Sequence, residues 1–427
     1  LAFDPYKQMQ RRIEMLESNG HSADKIEFIV KGGTWNSYPL KYQYWFILES
    51  FKACNNLKRR KLKSTIKQFN NLTIEDLEKE LNDEQLYNEV SNHRMIGLTL
   101  ETRPDAITPE SIKHMRNQGC TRIELGLQAP DDKILKLVKR EHTVQQFKDA
   151  MLMLRNAGFK VDLHFMPGLP GSTPEHDVEM YKSLFTDPGF KPDMIKIYPC
   201  TVIKSSPLYL WFESGKYKTY SDKELFDALI QMKVATPRYC RISRLIRDIP
   251  TDEIEGGNTI TNLREYLQKE MKNCGLKCKC LRCREIGHQN TLALNQLSTK
   301  APKLFVDEYE TTGGTEYFLS YEDEDRSIVY GFLRLRLPNQ KLGTLNSEPR
   351  TAFIRELHVY GELVSIGKNK KSASQHKGLG KKLVKEAEKI AKQNKFQKVT
   401  VISGVGVKDY YRKLVYKKDN TYMSKNL

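Results

Sequence analysis

The stretch MIGLTLETRPDAITPESIKHMRNQGCTRIELGLQ, residues 95–128, reads as strand, helix, strand, with the helix finishing at Gly119. The same grammar extends to both sides. Upstream, Tyr6–Asn19 has a helical stripe of Met9, Ile13 and Leu16, and KIEFIVKGGT is a buried strand that runs into a glycine turn. Downstream, QQFKDAMLMLRNAG is a helix finishing at Gly158, and KVDLHFMPG and MIKIYP are strands. Strands alternating with helices make right-handed crossovers, hence a parallel sheet or open barrel of α/β class whose ligands sit at the carboxyl ends of the strands. Residues just after each strand are therefore the functional candidates.

Between Lys58 and Asn92 the composition turns to Lys, Glu and Asn, and NLTIEDLEKEL reads as a capped, solvated helix in a connector. From about Pro302 strands dominate (KLFVDEYE, TEYFLSYE, SIVYGFLRLRL, AFIRELHVYG), followed by one long helix, Lys377 to Asn394. This is a smaller α+β domain, 291–427, after a barrel-like domain, 1–290, with the boundary in IGHQNTLALNQLSTKAP.

The 427 residues suffice for two or three domains, and no apolar run approaches the roughly 18 residues of a membrane span. Seventy Lys plus Arg against 53 Asp plus Glu give a net charge of +17, which attracts polyanions, nucleic acid first among them. Eight cysteines are too few for a disulfide scaffold, and no secretory signal opens the chain, so a reducing, cytoplasmic setting is expected. Four of the eight crowd into CGLKCKCLRC: Cys274, Cys278, Cys280 and Cys283. Their spacing fits neither zinc ribbons nor ferredoxins, and tetrahedral zinc is the expected occupant, with Cys278, Cys280 and Cys283 as ligands and Cys274 or His288 as the fourth. RYCRISRLIRDIP places Arg238, Arg241, Arg244 and Arg247 three apart, which on a helix makes a basic ridge; with Lys279 and Arg282 it is a candidate tRNA track.

QHKGLGKKLVKEAEKIAK, from Gln375, sets Gly378 and Gly380 ahead of an amphipathic helix, where backbone N–H groups can turn toward an anion. With AFIRELHVYG upstream and VTVISGVGVKDYYRKLVY downstream, this half resembles the GNAT acetyltransferases. That resemblance implies that Glu356, Leu357, His358 and Val359 pair with the pantetheine arm of acetyl-CoA. It also implies that the loop Gln375, Gly378, Leu379, Gly380 and Lys381 holds the pyrophosphate, and that Tyr410 or Tyr411 sits near the thioester sulfur. A tyrosine hydroxyl there can protonate a leaving thiolate.

GHSADKIEFIVKGGTW, GLTLETRPD, RIELGLQ, HFMPGLPGST, IKIYPC and RELHVYG, taken in that order, resemble the family of Elongator catalytic subunits. In that family a radical S-adenosylmethionine domain, a partial TIM-like barrel, is fused to a GNAT-type domain. The resemblance implies an S-adenosylmethionine pocket formed by Gly32, Gly33, Thr34, Glu101, Arg103, Gln128, His164 and Lys196, and an acetyl-CoA contact at Lys25. It implies formation of 5-carboxymethyluridine at position 34 of tRNA: a 5′-deoxyadenosyl radical takes hydrogen from the acetyl methyl, the carbon radical adds to C5, and thioester hydrolysis follows. A mobile loop at 58–92 or 361–374 is a candidate gate on that hydrolysis. The family's three-cysteine motif for a [4Fe–4S] cluster lies upstream of DPYKQMQRR, so no cluster is expected on the sequence as given, and an N-terminal truncation is the simplest account. The expected partner is the tRNA anticodon stem-loop, with a homodimer or accessory subunits open. The alternatives are a protein lysine acetyltransferase and a tRNA-binding scaffold with an inert barrel.

Overall fold

The computed structural model describes residues 3–55, 69, 71–247, 249–288, 301–339, 350–360 and 378–427. The expected domain boundary near 290, the candidate gate at 361–374, most of 58–70, and Gln375 and Lys377 lie outside these residues.

Six parallel strands form the first sheet in the order β1-β2-β3-β4-β5-β7. They are β1 (Lys25–Val30), β2 (Arg94–Thr102), β3 (Arg122–Gln128), β4 (Lys160–Phe165), β5 (Met194–Ile197) and β7 (Arg241–Arg244). The consecutive strands are joined by helical crossovers, and the sheet curls into a half-barrel. A two-stranded ribbon, β6 (Val202–Ile203) with β8 (Ile254–Gly256), lies outside it. The helices start where short polar side chains cap them. Thr73, Thr108, Thr143 and Ser221 each accept from the backbone N–H three residues on and receive a reciprocal bond at their own N–H.

The helix Ile74–Asn88 is not the solvated connector its composition suggests. Leu77 and Leu81 are fully buried against the helix Leu40–Asn55, and Asn88 is tied to Asn55 and to the backbone of His93 and Met95. One helix face is charged and the other is core, so the composition averaged over both concealed the packing.

The second sheet has seven strands in the order β14-β15-β13-β12-β11-β10-β9. β9 (Lys303–Thr311), β10 (Gly314–Glu322), β11 (Val329–Pro338) and β12 (Thr351–Val359) form an antiparallel meander. β13 (Lys398–Val401) pairs parallel with β12, and β14 (Lys417–Asp419) and β15 (Tyr422–Asn426) complete the edge. The long helix, Leu379–Gln393 within the described residues, buries Leu383, Val384, Ala387, Ile390 and Ala391 on this sheet.

The two units share a seam rich in buried charge. Arg355 grips Asp193 through two bonds of 2.6 and 2.7 Å and also reaches Glu316 at 2.9 Å. Arg334 donates to the carbonyls of Asp193 and Tyr239, and Arg336 to Asn156. Tyr239 and Tyr309 stack at 4.1 Å, and one apolar core runs through both units, including Phe318, Phe332 and Val405. No described helix is long and apolar enough to cross a membrane.

Candidate functional site

Along β3, β4 and β5 every second residue but Gly126 is polar or long: Arg122, Glu124 and Gln128; Lys160, Asp162 and His164; Met194 and Lys196, with Tyr198 just past the end of β5. Alternation by two sends these side chains to one face, the concave one, and leaves Ile123, Leu125, Val161, Leu163, Phe165, Ile195 and Ile197 for the core. The half-barrel interior is thus lined with charge. Register sets the charged residues side by side, with Glu101 opposite Glu124, Glu124 opposite Asp162 and His164 opposite Lys196.

Two hollows occupy this interior. The first, of about 700 Å3, opens at the carboxyl ends of the strands and is lined by Gly32, Gly33, Thr34, Glu101, Arg103, Gln128, His164 and Lys196. These are all eight residues expected for the S-adenosylmethionine pocket. The second, of about 600 Å3, lies deeper and is walled by Glu27 of β1, Asp162 of β4, Arg241 and Ser243 of β7, and Glu356, Leu357 and His358 of β12. Lys31, Glu124, Lys196 and Arg244 line both hollows, so the two are neighbours on the same concave face.

Glu124 is buried, and burial alone raises a carboxyl pKa; contacts with His164 and Lys196 outweigh this and hold it at about 2. Lys196 donates to Glu124. Asp162 is as buried but differently served: Ser243 donates to one oxygen at 3.0 Å and the other has no hydrogen-bond partner, so burial pushes its pKa up. Glu356 is held at about 2, against the effect of burial, by Lys160 and Arg334, the first from β4 and the second from β11.

The mouth suits a polar, carboxylate- and amine-bearing ligand. Gly32 and Gly33 have φ of 112° and 83°, and a Cβ on either would meet nothing within 4 Å, so their backbone is bare toward the hollow. His164 Nε2 stands 3.5 Å from Glu124 yet makes no hydrogen bond, and Thr102 Oγ1, of another lining residue, is likewise buried without a partner among the described residues. Arg103 is fixed by Asp105 and Glu141. Among the described residues no cysteine lines this mouth, so the side chains there offer no thiolate to an iron–sulfur cluster.

The acetyl-CoA candidates gather at a different edge. β12 pairs with β13 only over Thr351–Ile354, and its remaining residues, to Val359, have no β13 partner. The splayed end approaches the start of the long helix, where Gly378 (φ 71°) is an N-cap without a side-chain bond and Val359 lies 3.6 Å from the Cβ position of Gly380. The Tyr410 hydroxyl is buried there without a hydrogen-bond partner among the described residues, and burial lifts its pKa to about 12. Bare helix-end amides beside an unpartnered hydroxyl suit a phosphate- and thioester-bearing ligand. Tyr411 packs instead inside the second core against Tyr416. Of the remaining candidates, Leu379 and Gly380 are buried and Lys381 is exposed at the same helix start. Lys25 lines neither hollow. It begins β1 beside Arg94, against which Gly406 of the second unit packs, so it lies on the side of the barrel that abuts that unit.

The basic ridge does not form. Arg241–Arg244 is β7, paired with β5, and the three-residue spacing therefore scatters the arginines. Arg238 donates to the Arg326 carbonyl and Arg241 to Glu285 at 2.7 Å, both within the seam, while Arg244 and Arg247 line the mouth. Lys279 is exposed and Arg282 half-buried on the cysteine segment. The sulfurs of Cys278, Cys280 and Cys283 lie within 4.8 Å of one another, a triad able to take a metal ion. Cys274 is exposed outside that triad, and the His288 side chain lies outside the described residues.

Sequence reasoning missed Arg122, Arg140, Lys160, Asp162, Tyr198 and Ser243 as lining residues. For Arg122, Lys160, Asp162 and Ser243 the signal was present as polar residues alternating with apolar ones along the strands; Arg140, outside any strand, and Tyr198, just past β5, carried no such signal.

Residues 67–184 match the Radical SAM superfamily, 192–273 the Radical_SAM C-terminal domain and 288–415 the Acetyltransferase (GNAT) family. The whole chain is 42% identical to a tRNA uridine(34) acetyltransferase of Methanocaldococcus infernus, covering 76% of that protein. It is 38% identical to Elongator complex protein 3 of Saccharomyces cerevisiae, with all of this chain and 73% of the yeast protein aligned. A solved structure of the archaeal Methanocaldococcus infernus Elp3 with an N-terminus deletion superposes with a TM-score of 0.87 at 40% identity, over 100% of this chain and 96% of that one.

Proposed function

The chain belongs to the family of tRNA uridine(34) acetyltransferases and Elongator complex protein 3, and from that membership we propose that it modifies the wobble uridine of tRNA with a two-carbon unit taken from acetyl-CoA. The product is 5-carboxymethyluridine, formed with S-adenosylmethionine as second cofactor. One observation carries the reading: the mouth hollow and the deep hollow share Lys31, Glu124, Lys196 and Arg244, so a ligand at the strand ends and another along β12 would lie against the same four side chains.

In this reading Gly32, Gly33 and Thr34 offer backbone to the amino-acid end of S-adenosylmethionine, and Glu101, Arg103, Gln128, His164 and Lys196 hold its polar groups. When bound, that cofactor, given one electron by the iron–sulfur cluster that the Radical SAM family match implies, would supply the radical chemistry that activates the acetyl methyl group. The residues of this chain do the rest. Glu356, Leu357, His358 and Val359 run along the pantetheine arm, and Gly378 to Lys381 take the pyrophosphate. The curved sheet on one side and β12 on the other exclude bulk water, which strengthens each charge in the interior. In the closing hydrolysis water adds to the thioester carbon, the C–S bond breaks, the Tyr410 hydroxyl, protonated at neutral pH, gives its proton to the departing thiolate, and the proton lost by the water restores the phenol. Cys278, Cys280 and Cys283 hold a structural zinc with Cys274 or His288 as fourth ligand.

Incubation with acetyl-CoA, with and without tRNA, tests the reading. Free CoA released only with tRNA is the expected result. Acetylation of a lysine peptide without RNA replaces the reading with a protein acetyltransferase, and neither product leaves a scaffold.

A further inference from the structure

With no ridge at Arg238–Arg247, the RNA-binding surface has to be found elsewhere, and a third hollow supplies one. It measures about 480 Å3, within the range of small-ligand pockets, and is walled by Trp211, Tyr217 and Tyr220 together with Lys216 and Lys218 and the loop Gly168–Ser172. That loop follows β4 directly, and its Leu169 also lines the mouth. We infer that this hollow is a subsite for single-stranded RNA, which stacks the base and neutralises the phosphates of the nucleotide next to the one that enters the barrel. The inference rests on the proposed tRNA substrate.

Three features carry it. Lys216 and Lys218 are both exposed, and no described carboxylate forms an ion pair with either, so their charge is available to a phosphate. Along the chain Lys216 and Lys218 flank Tyr217, which is buried and backs the wall, while Tyr220 and Trp211 are half-buried and present the ring surface. A basic track with interleaved aromatic faces is how unpaired strands are held without reading sequence. The rings are also fixed beforehand. Tyr217 donates to the Gly168 carbonyl at 2.6 Å and Tyr220 to Asp177 at 2.7 Å, while Asp177 accepts from the Gly168 N–H and the Ser172 hydroxyl. A pocket held in shape by its own hydrogen bonds loses little freedom when it binds. The location supplies the meaning. A base drawn into the barrel for modification leaves its neighbour unstacked at the rim, and a ready ring face compensates that neighbour.

Intrinsic fluorescence reads the site directly. Of the three tryptophans, Trp35 and Trp45 are buried at 3% and 7% exposure and Trp211 is half-buried in this wall. Titration with an anticodon stem-loop RNA should quench the wild-type emission, and Trp211→Phe should abolish the quench. Lys216→Ala with Lys218→Ala should weaken RNA binding at least tenfold at physiological salt. It should also flatten the slope of log affinity against log salt by about 1.4, the share of two single-strand phosphates, with an unchanged thermal midpoint. A quench that survives Trp211→Phe, or a salt slope that the double variant leaves intact while the wild type binds RNA tightly, overturns the subsite alone. Equal displacement of the RNA by a polyglutamate peptide also overturns it, in favour of an acidic polypeptide. Wild-type protein that ignores the RNA altogether overturns the proposed function with it.

Discussion

Asp162 and Asp193 are both sealed from solvent, one strand apart, and behave oppositely. Asp193 lies in the seam, where two bonds from Arg355 and the nearby Arg334 guanidinium hold its pKa well below the ordinary carboxylate range despite burial. Asp162 faces the deep hollow with one oxygen unpaired, and burial drives its pKa up. Buried charge satisfied on every side belongs to the scaffold; buried charge left open toward a hollow is kept for a ligand. The contrast separates the two uses of charge in a protein that has both in quantity.

Four experiments bear on that contrast. Acidification should have the largest effect. The folded pKa values of Glu124 and Glu356 are depressed to about 2 and that of Asp193 is lowered too. The stability they contribute is therefore present above the unfolded value near 4.3 and is lost as pH falls from there toward 2, roughly 3 kcal/mol for each glutamate. Urea midpoints that stay flat between pH 5 and 3 would break the comparison. Next, Asp193→Ala takes from buried Arg355 one of its two carboxylates, leaving Glu316, and from Arg334 a nearby charge, and should cost about 3 kcal/mol by equilibrium urea unfolding; a loss below about 1 kcal/mol would mean that the seam relaxes around it. Third, Tyr410→Phe removes an unpartnered hydroxyl and should lower tRNA-dependent CoA release about 100-fold with stability unchanged. Tyr411→Phe, which alters a packed core ring, should leave release near wild type, and equal effects would erase the distinction between the two. The smallest effect is that of Asp162→Asn, within about 1 kcal/mol at pH 7 and in the variant's favour. A raised folded pKa contributes stability at low pH that disappears as pH rises through it, so this gain should vanish below about pH 4. A large loss instead would place Asp162 with the scaffold.

The strands and the mouth were readable because local pattern and tertiary role agree there. Apolar residues at every second position, then a glycine or polar residue at the strand end, put Gly32, Glu101, Gln128 and His164 where they are found. β7 was unreadable as a strand because its arginines at three-residue intervals imitate a helix face. Pairing with β5 and burial of Ile242 outweigh that local count. The seam was invisible for another reason: Arg355 and Asp193 are 162 positions apart, and no window on the chain contains both. The deep hollow needs β1, β4, β7 and β12 at once, so its existence is a property of assembly.

The seam also bears on how such a protein can change over generations. Because Arg334, Arg336 and Arg355 of one unit find their partners at Asp193, Tyr239 and Asn156 of the other, neither half can be swapped by recombination for a foreign cassette without stranding a cluster of guanidinium groups. Inheritance of the pair is locked, and novelty is left to the loops at the rim.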